Sequence, residues 1–132
     1  LKSMNFFRIL VSNQPDVKKR KITYKNWRAM QDRVEELDFD GVFICPHLRE
    51  DNCDCKKPRP GMLLRAAQIF DLDLPRCYMI GDLWIDTGAA RTAGCVSILV
   101  RASYNAGVKS DYIAENLLHA VHLIQQFESR RR

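Results

Sequence analysis

Four soft or borderline metal donors fall in one short stretch of this chain: Cys45, His47, Cys53 and Cys55, spaced Cys-x-His-x5-Cys-x-Cys. Zn²⁺ takes four such donors in a tetrahedron, and three thiolates with one imidazole complete the set. Lys56 and Lys57 follow directly, ahead of Pro58-Arg59-Pro60. Lys57, on a loop stiffened by metal, is a point charge suited to a phosphoryl oxygen or a nucleophilic aspartate. Lys56 is a candidate for a second substrate anion, with a solvated surface lysine as the plain alternative.

A second group is acidic. Gly81-Asp82-Leu83-Trp84-Ile85-Asp86 places two carboxylates four residues apart around a strand-to-helix turn. Glycine admits close backbone approach, and neighbouring carboxylates suit Mg²⁺, a hard cation that prefers oxygen. Asp82 is expected to be buried at the end of an apolar strand, where an unpaired carboxylate is expensive. Asp86 has two readings, support for the cation and a cap for the following helix. Ser12 and Asn13 end another apolar run and offer a hydroxyl and backbone N–H groups to a phosphate. A simple strand-to-loop turn into Pro15 explains them equally. His119 and His122 stand three apart with no other donor at ligand spacing, and they receive no role.

The elements that must position these groups alternate. Phe6–Val11, Gly41–Cys45, Cys77–Ile80 and Val96–Val100 are apolar runs that predict strands. Helices are expected over Thr23–Leu37, from Pro60 to Phe70, over Asp86–Ala93 with Gly94 as the stop, and from Asp111 to Phe127. Continuous rather than alternating apolar strands, interleaved with helices, predict an α/β fold: a Rossmann-like parallel sheet covered by helices on both faces, with a metal-stapled loop. Ligands in such folds bind off the carboxyl ends of the strands, where Ser12-Asn13, residues 45–57 and residues 82–86 are all expected.

Composition bounds the class. A chain of 132 residues, with 46% hydrophobic and 28% charged residues, predicts one globular domain over residues 1–132. It holds no apolar run long enough for a membrane helix, so no membrane partner is expected. The first residues lack a signal-peptide layout. Five cysteines, an odd number, argue against a secreted disulfide framework and for a reducing, cytoplasmic setting, with Cys77 and Cys95 as reduced core residues. The net charge of +5 collects in residues 18–21 and the terminal arginines 130–132, without interleaved aromatics. A nucleic-acid partner is therefore not expected.

Taken together, Cys45-Pro46-His47, Cys53-Asp54-Cys55-Lys56-Lys57-Pro58, Pro60-Gly61-Met62-Leu63, Gly81-Asp82 with Asp86, Ala89-Ala90, Ala93-Gly94, and Ser12-Asn13-Gln14 resemble the haloacid-dehalogenase (HAD) superfamily of phosphatases. The resemblance is strongest to the branch holding heptose-bisphosphate and histidinol-phosphate phosphatases. It implies a Mg²⁺-dependent phosphatase of a small phosphorylated metabolite, acting as a monomer through an aspartyl-phosphate. Heptose bisphosphate is the favoured substrate, with histidinol phosphate or a non-catalytic phosphate- or partner-binding module as alternatives. By this resemblance Ser12 binds the transferring phosphoryl group, with Asn13 and Lys56 beside the phosphate. Lys57 stabilises that group and the nucleophile, Asp82 holds catalytic Mg²⁺, and the four Cys/His residues hold a closed, structural Zn²⁺. The family's Asp-x-Asp nucleophile motif does not occur ahead of Ser12, which places the nucleophile outside this sequence and predicts that the chain alone is inactive. Asp71-Leu72-Asp73 has the right letters but reads as a turn after a helix. Lys56 and Leu83 also depart from the branch, which has arginine and a basic residue there, and these departures bear on the substrate.

Overall fold

Runs of largely β-branched apolar residues such as Ile9-Leu10-Val11 and Val96-Ser97-Ile98-Leu99-Val100 fit a pleated surface, and in the computed structural model they form parallel strands. Residues 6–13, 39–47 and 51–131 are described. They divide into two units, Leu1–Lys56 and Lys57–Arg132. The helix expected over Thr23–Leu37 lies outside the described residues.

In the first unit β1 (Ile9–Asn13) pairs in parallel with β2 (Gly41–Cys45), in a register running from Ile9 opposite Gly41 to Asn13 opposite Cys45. A reciprocal clasp starts the pair. The Arg8 N–H donates to Asp40 Oδ2 at 2.6 Å, and the Asp40 N–H donates to the Arg8 carbonyl at 2.8 Å. The first strand was expected over Phe6–Val11, but it runs later, so Ser12 and Asn13 are its last two residues rather than the start of a loop.

The second unit carries a three-stranded parallel sheet in the order β3–β4–β5, formed by Tyr78–Gly81, Val96–Val100 and Tyr112–Ala114. Three helices accompany it: α1 (Gly61–Phe70), α2 (Trp84–Ala93) and α3 (Leu117–Arg130). Pro60 precedes α1, and Met62 and Ala66, one turn apart, are its buried residues. Helix α2 stops where expected. Gly94 adopts φ 86°, and its N–H reaches the carbonyls of Ala90 and Arg91, a conformation that a residue with a side chain resists. Asn116 opens α3 by accepting the His119 N–H on its side chain. Ala120 and Ile124 of that helix are buried, and Phe127 lies against the rings of Tyr78 and Tyr112, with centroids 6.2 and 4.4 Å away.

Strand β5 corrects the sequence reading, which began the last helix at Asp111. Asp111 instead hooks its chain onto β4: Oδ2 accepts the Ser97 N–H at 2.8 Å and the Ser97 hydroxyl at 3.2 Å. The Asp111 N–H returns a bond to Ser97 Oγ at 2.9 Å. With that anchor set, Tyr112-Ile113-Ala114 pair with Ile98-Leu99-Val100, and the helix starts only after Asn116. A contact made across fourteen residues outweighs the local helical pattern.

Cys95 is buried and Cys77 half-buried, both as free thiols. Burial pushes the Cys95 thiol up to about 11, with the nearby Cys77 adding to it, which suits inert core positions. Among the described residues no helix is long and apolar enough to cross a membrane.

Ile98, on the central strand, is 0% exposed. Ile98→Ala is expected to cost about 3 kcal/mol, lost contacts plus the cavity left behind. Urea denaturation should show this as a lower midpoint with an unchanged slope.

Candidate functional site

The carboxyl end of the β1–β2 pair carries the Cys/His set. Cys45 closes β2 and is fully buried, while His47, Cys53 and Cys55 come from the loop beyond it and are half-buried. Their ligand atoms lie within 4.8 Å of one another. Cys45 Sγ is 3.4 Å from His47 Nδ1 and 3.5 Å from Cys53 Sγ, and His47 Nδ1 is 3.2 Å from Cys55 Sγ. A zinc tetrahedron built on ordinary Zn–S and Zn–N bonds has edges of about 3.5–3.8 Å. The three printed separations match those edges to a few tenths of an ångström, and closing the widest, up to 4.8 Å, onto one Zn²⁺ takes a shift of about 1 Å. Lys56 turns its ammonium back onto the same loop, donating to the His47 carbonyl at 3.5 Å. Ser12 and Asn13 stand at this same end, opposite Ile44 and Cys45.

The thiols are not equivalent. At Cys53, burial works against ionisation. Hydrogen bonds from Cys45, the Lys56 backbone and Cys55 outweigh it and bring the thiol down to about 7. Cys55 is pushed up to about 12, first by burial and then by the hydrogen bonds and charge of Cys45 and Cys53. Metal binding must therefore expel protons from this set.

In the second unit the acidic turn after β3 is built around an ion pair. Lys57 Nζ lies 2.6 Å from Asp86 Oδ1, and the two side chains are only 11% and 7% exposed. The other oxygen of Asp86 accepts the Leu83 N–H at 3.1 Å, which caps the start of α2. Of the two readings of Asp86, the cap is therefore the one seen, and its other oxygen is taken by Lys57. Gly81 is required by the same packing, because a Cβ there would collide with the Asp86 carboxylate.

Burial within this turn reverses the expectation. Asp86 is the buried carboxylate, and Asp82 is half-buried. The physical reason is the ammonium of Lys57, which compensates Asp86 and makes its burial affordable. The consequence is chemical. A dication is repelled by the ammonium already on Asp86, whereas Asp82 keeps a carboxylate near solvent at the end of β3. Oxygen donors of that kind fit Mg²⁺, and Asp82 is the member of the pair that suits it.

Two residues that the sequence reading passed over surround Asp82. Tyr104, on the loop after β4, donates its hydroxyl to Asp82 Oδ2. Asn105, 4% exposed, donates to the carbonyls of Asp82 at 2.9 Å and Val100 at 2.8 Å, and accepts the Ala102 N–H at 2.9 Å. Donation to Asp82, then burial and the adjacent negative charges, holds the Tyr104 phenol above its usual range. The available signal was position: this loop leaves the carboxyl end of β4, the same kind of place that carries every other polar motif. Asp71, by contrast, is the left-handed residue that ends α1, with φ 53°, and Asp73 opens a short 3-10 turn. Asp71-Leu72-Asp73 is a turn, as expected.

The HAD-hydrolase-like family model matches residues 54–120, just over half of the chain. The chain belongs to the HAD-like hydrolases. This HAD-like hydrolase is 33% identical over 150 residues to a D-glycero-D-manno-heptose-1,7-bisphosphate 7-phosphatase of Thermosynechococcus vestitus, covering 94% of this chain and 76% of that protein. It is 29% identical over 141 residues to the D-glycero-beta-D-manno-heptose-1,7-bisphosphate 7-phosphatase of Vibrio cholerae, covering 96% of this chain and 76% of that one. Among solved structures it is similar to the D,D-heptose 1,7-bisphosphate phosphatase of B. bronchiseptica, crystallised with magnesium and phosphate. The TM-score is 0.84 at 27% identity, covering 96% of this chain and 78% of that chain.

Zinc affinity supplies the test of the Cys/His geometry. Competition against a chromophoric chelator should give one Zn²⁺ per chain, lost in Cys45→Ser. Below about 12 the Cys55 proton must be displaced, and below about 7 that of Cys53 as well. Affinity should thus fall as the pH is lowered, on the order of ten-fold per pH unit down to neutrality and more steeply below it. An affinity independent of pH would contradict the assignment.

Proposed function

We propose that this HAD-like hydrolase is a Mg²⁺-dependent phosphatase of a heptose bisphosphate. The observation that carries the reading is the turn after β3, which combines a buried Lys57–Asp86 pair with a half-buried Asp82. The heptose-bisphosphate phosphatases to which the chain is similar supply the substrate class.

In this reading each group has a separate task. Asp82 holds the Mg²⁺, which when bound neutralises charge on the phosphoryl group. Lys57, its ammonium fixed in direction by Asp86, stabilises the developing charge without having to reorganise during reaction. Ser12 offers its hydroxyl to the transferring phosphoryl group, and Asn13 and Lys56 contribute further donors to phosphate. Cys45, His47, Cys53 and Cys55 hold a Zn²⁺ that keeps the loop of residues 45–55 in one conformation and leaves no open position for chemistry. The nucleophile is an aspartate of an Asp-x-Asp motif. No such motif precedes Ser12 in this sequence, so in this reading the 132-residue chain alone does not turn over.

The test is phosphate release from D-glycero-D-manno-heptose 1,7-bisphosphate by the protein as its gene encodes it, beside the 132-residue chain. The gene-encoded protein should release phosphate with Mg²⁺ and stop when EDTA removes it, while the 132-residue chain releases none. A preference for histidinol phosphate would contradict the substrate. No Mg²⁺-dependent release from any of a panel of phosphate monoesters would contradict the reaction and leave a binding module.

A further inference from the structure

Tyr104 is 64% exposed, yet its hydroxyl is committed to one atom, Asp82 Oδ2. An aromatic ring standing largely in water gains little from packing, so what keeps it there must lie in the loop that carries it. That loop is held by Asn105, whose buried amide uses both donors and its acceptor on main-chain groups at the ends of β3 and β4. One of those groups is the carbonyl of Asp82 itself, so backbone and carboxylate of the same residue are gripped by two consecutive residues of one loop. The side chain of Asp82 is thereby given a fixed rotation, although it sits at a strand end open to solvent.

A carboxylate that is to hold a cation benefits from such a grip. A freely rotating side chain must be ordered when the ion arrives, and hydrogen-bonding partners behind a ligand remove that cost and set which lone pairs face the metal. Asp86 does not need the same help, because the Lys57 ammonium and the Leu83 N–H already hold both of its oxygens. The two carboxylates of this turn are each oriented by a different device, and among the described residues only Asp82 is left without a countercharge.

We propose that Tyr104 is a positioning residue for the cation site, its hydroxyl occupying Oδ2 of Asp82 so that the opposite oxygen is the one presented to Mg²⁺. This rests on the reading in which Asp82 is the Mg²⁺ ligand, and it adds a residue outside the Gly81–Asp86 turn to that site. Asn105 supports it by holding the loop.

The experiment measures Mn²⁺, a paramagnetic stand-in for Mg²⁺, binding to the gene-encoded protein without substrate, by the loss of the free-ion electron paramagnetic resonance signal. Asp82→Asn should abolish the site. Tyr104→Phe keeps the ring and removes only the hydroxyl, and it should weaken Mn²⁺ binding about 10-fold with the thermal midpoint unchanged. Asn105→Ala should weaken binding in the same direction while also lowering the thermal midpoint, since it releases the loop. The Mg²⁺ concentration for half-maximal phosphate release should rise in Tyr104→Phe by the factor seen in Mn²⁺ binding. Equal Mn²⁺ affinity in Tyr104→Phe and the unaltered protein overturns the proposal. So does binding that Asp82→Asn leaves intact. If the Mn²⁺ results hold but no phosphate ester is hydrolysed, the function fails and the positioning role stands.

Discussion

The interaction on which the second unit depends is the buried ion pair between Lys57 and Asp86. It joins the residue that enters the unit to the first turn of α2, and the same carboxylate caps that helix through the Leu83 N–H. A negative group in the first turn is also favoured by the partial positive charge of a helix N-terminus. The close approach is possible only because residue 81 is glycine. Three local choices of sequence, at positions 57, 81 and 86, thus serve one contact. Each loses its purpose if another is changed, because an isolated charge at this depth is unfavourable.

From that contact follows a division of labour between two aspartates four residues apart. Asp86 faces inward and its charge is matched. Asp82 is half-buried and unmatched by any cation among the described contacts; its carboxylate takes a neutral donor from Tyr104, and its main-chain carbonyl one from Asn105. A carboxylate with hydrogen bonds but no countercharge retains its attraction for a metal ion, whereas one already paired with an ammonium does not. The Cys/His set is of another kind: it gathers four soft or borderline donors, the number that a closed zinc tetrahedron takes.

Much of this was legible in the chain. The Cys-x-His-x5-Cys-x-Cys spacing predicted a donor set, and the four ligand atoms do gather within 4.8 Å of one another. Strands β2 and β4 lie where continuous apolar runs put them, and Gly94 ends α2 in the left-handed conformation its type suggested. What stayed hidden depends on partners distant in sequence. Strand β5 forms because Asp111 grips Ser97. Asp86 rather than Asp82 is buried because Lys57, twenty-nine residues earlier, reaches it. Tyr104 acts on a carboxylate twenty-two residues before it. Local patterns report local preferences, and none of these three contacts is local.

The most direct test of the account is a double-mutant cycle on the central pair, using Lys57→Met, which keeps the stem, and Asp86→Asn, which keeps the acceptor for Leu83. Unfolding free energies of the four proteins give the coupling between the two charges. Either single change strands a buried charge, so the account predicts a coupling of about 2 kcal/mol or more, with the double variant more stable than the sum of single losses implies. Additivity to within about 0.5 kcal/mol would mean that the two charges act independently, and would contradict it.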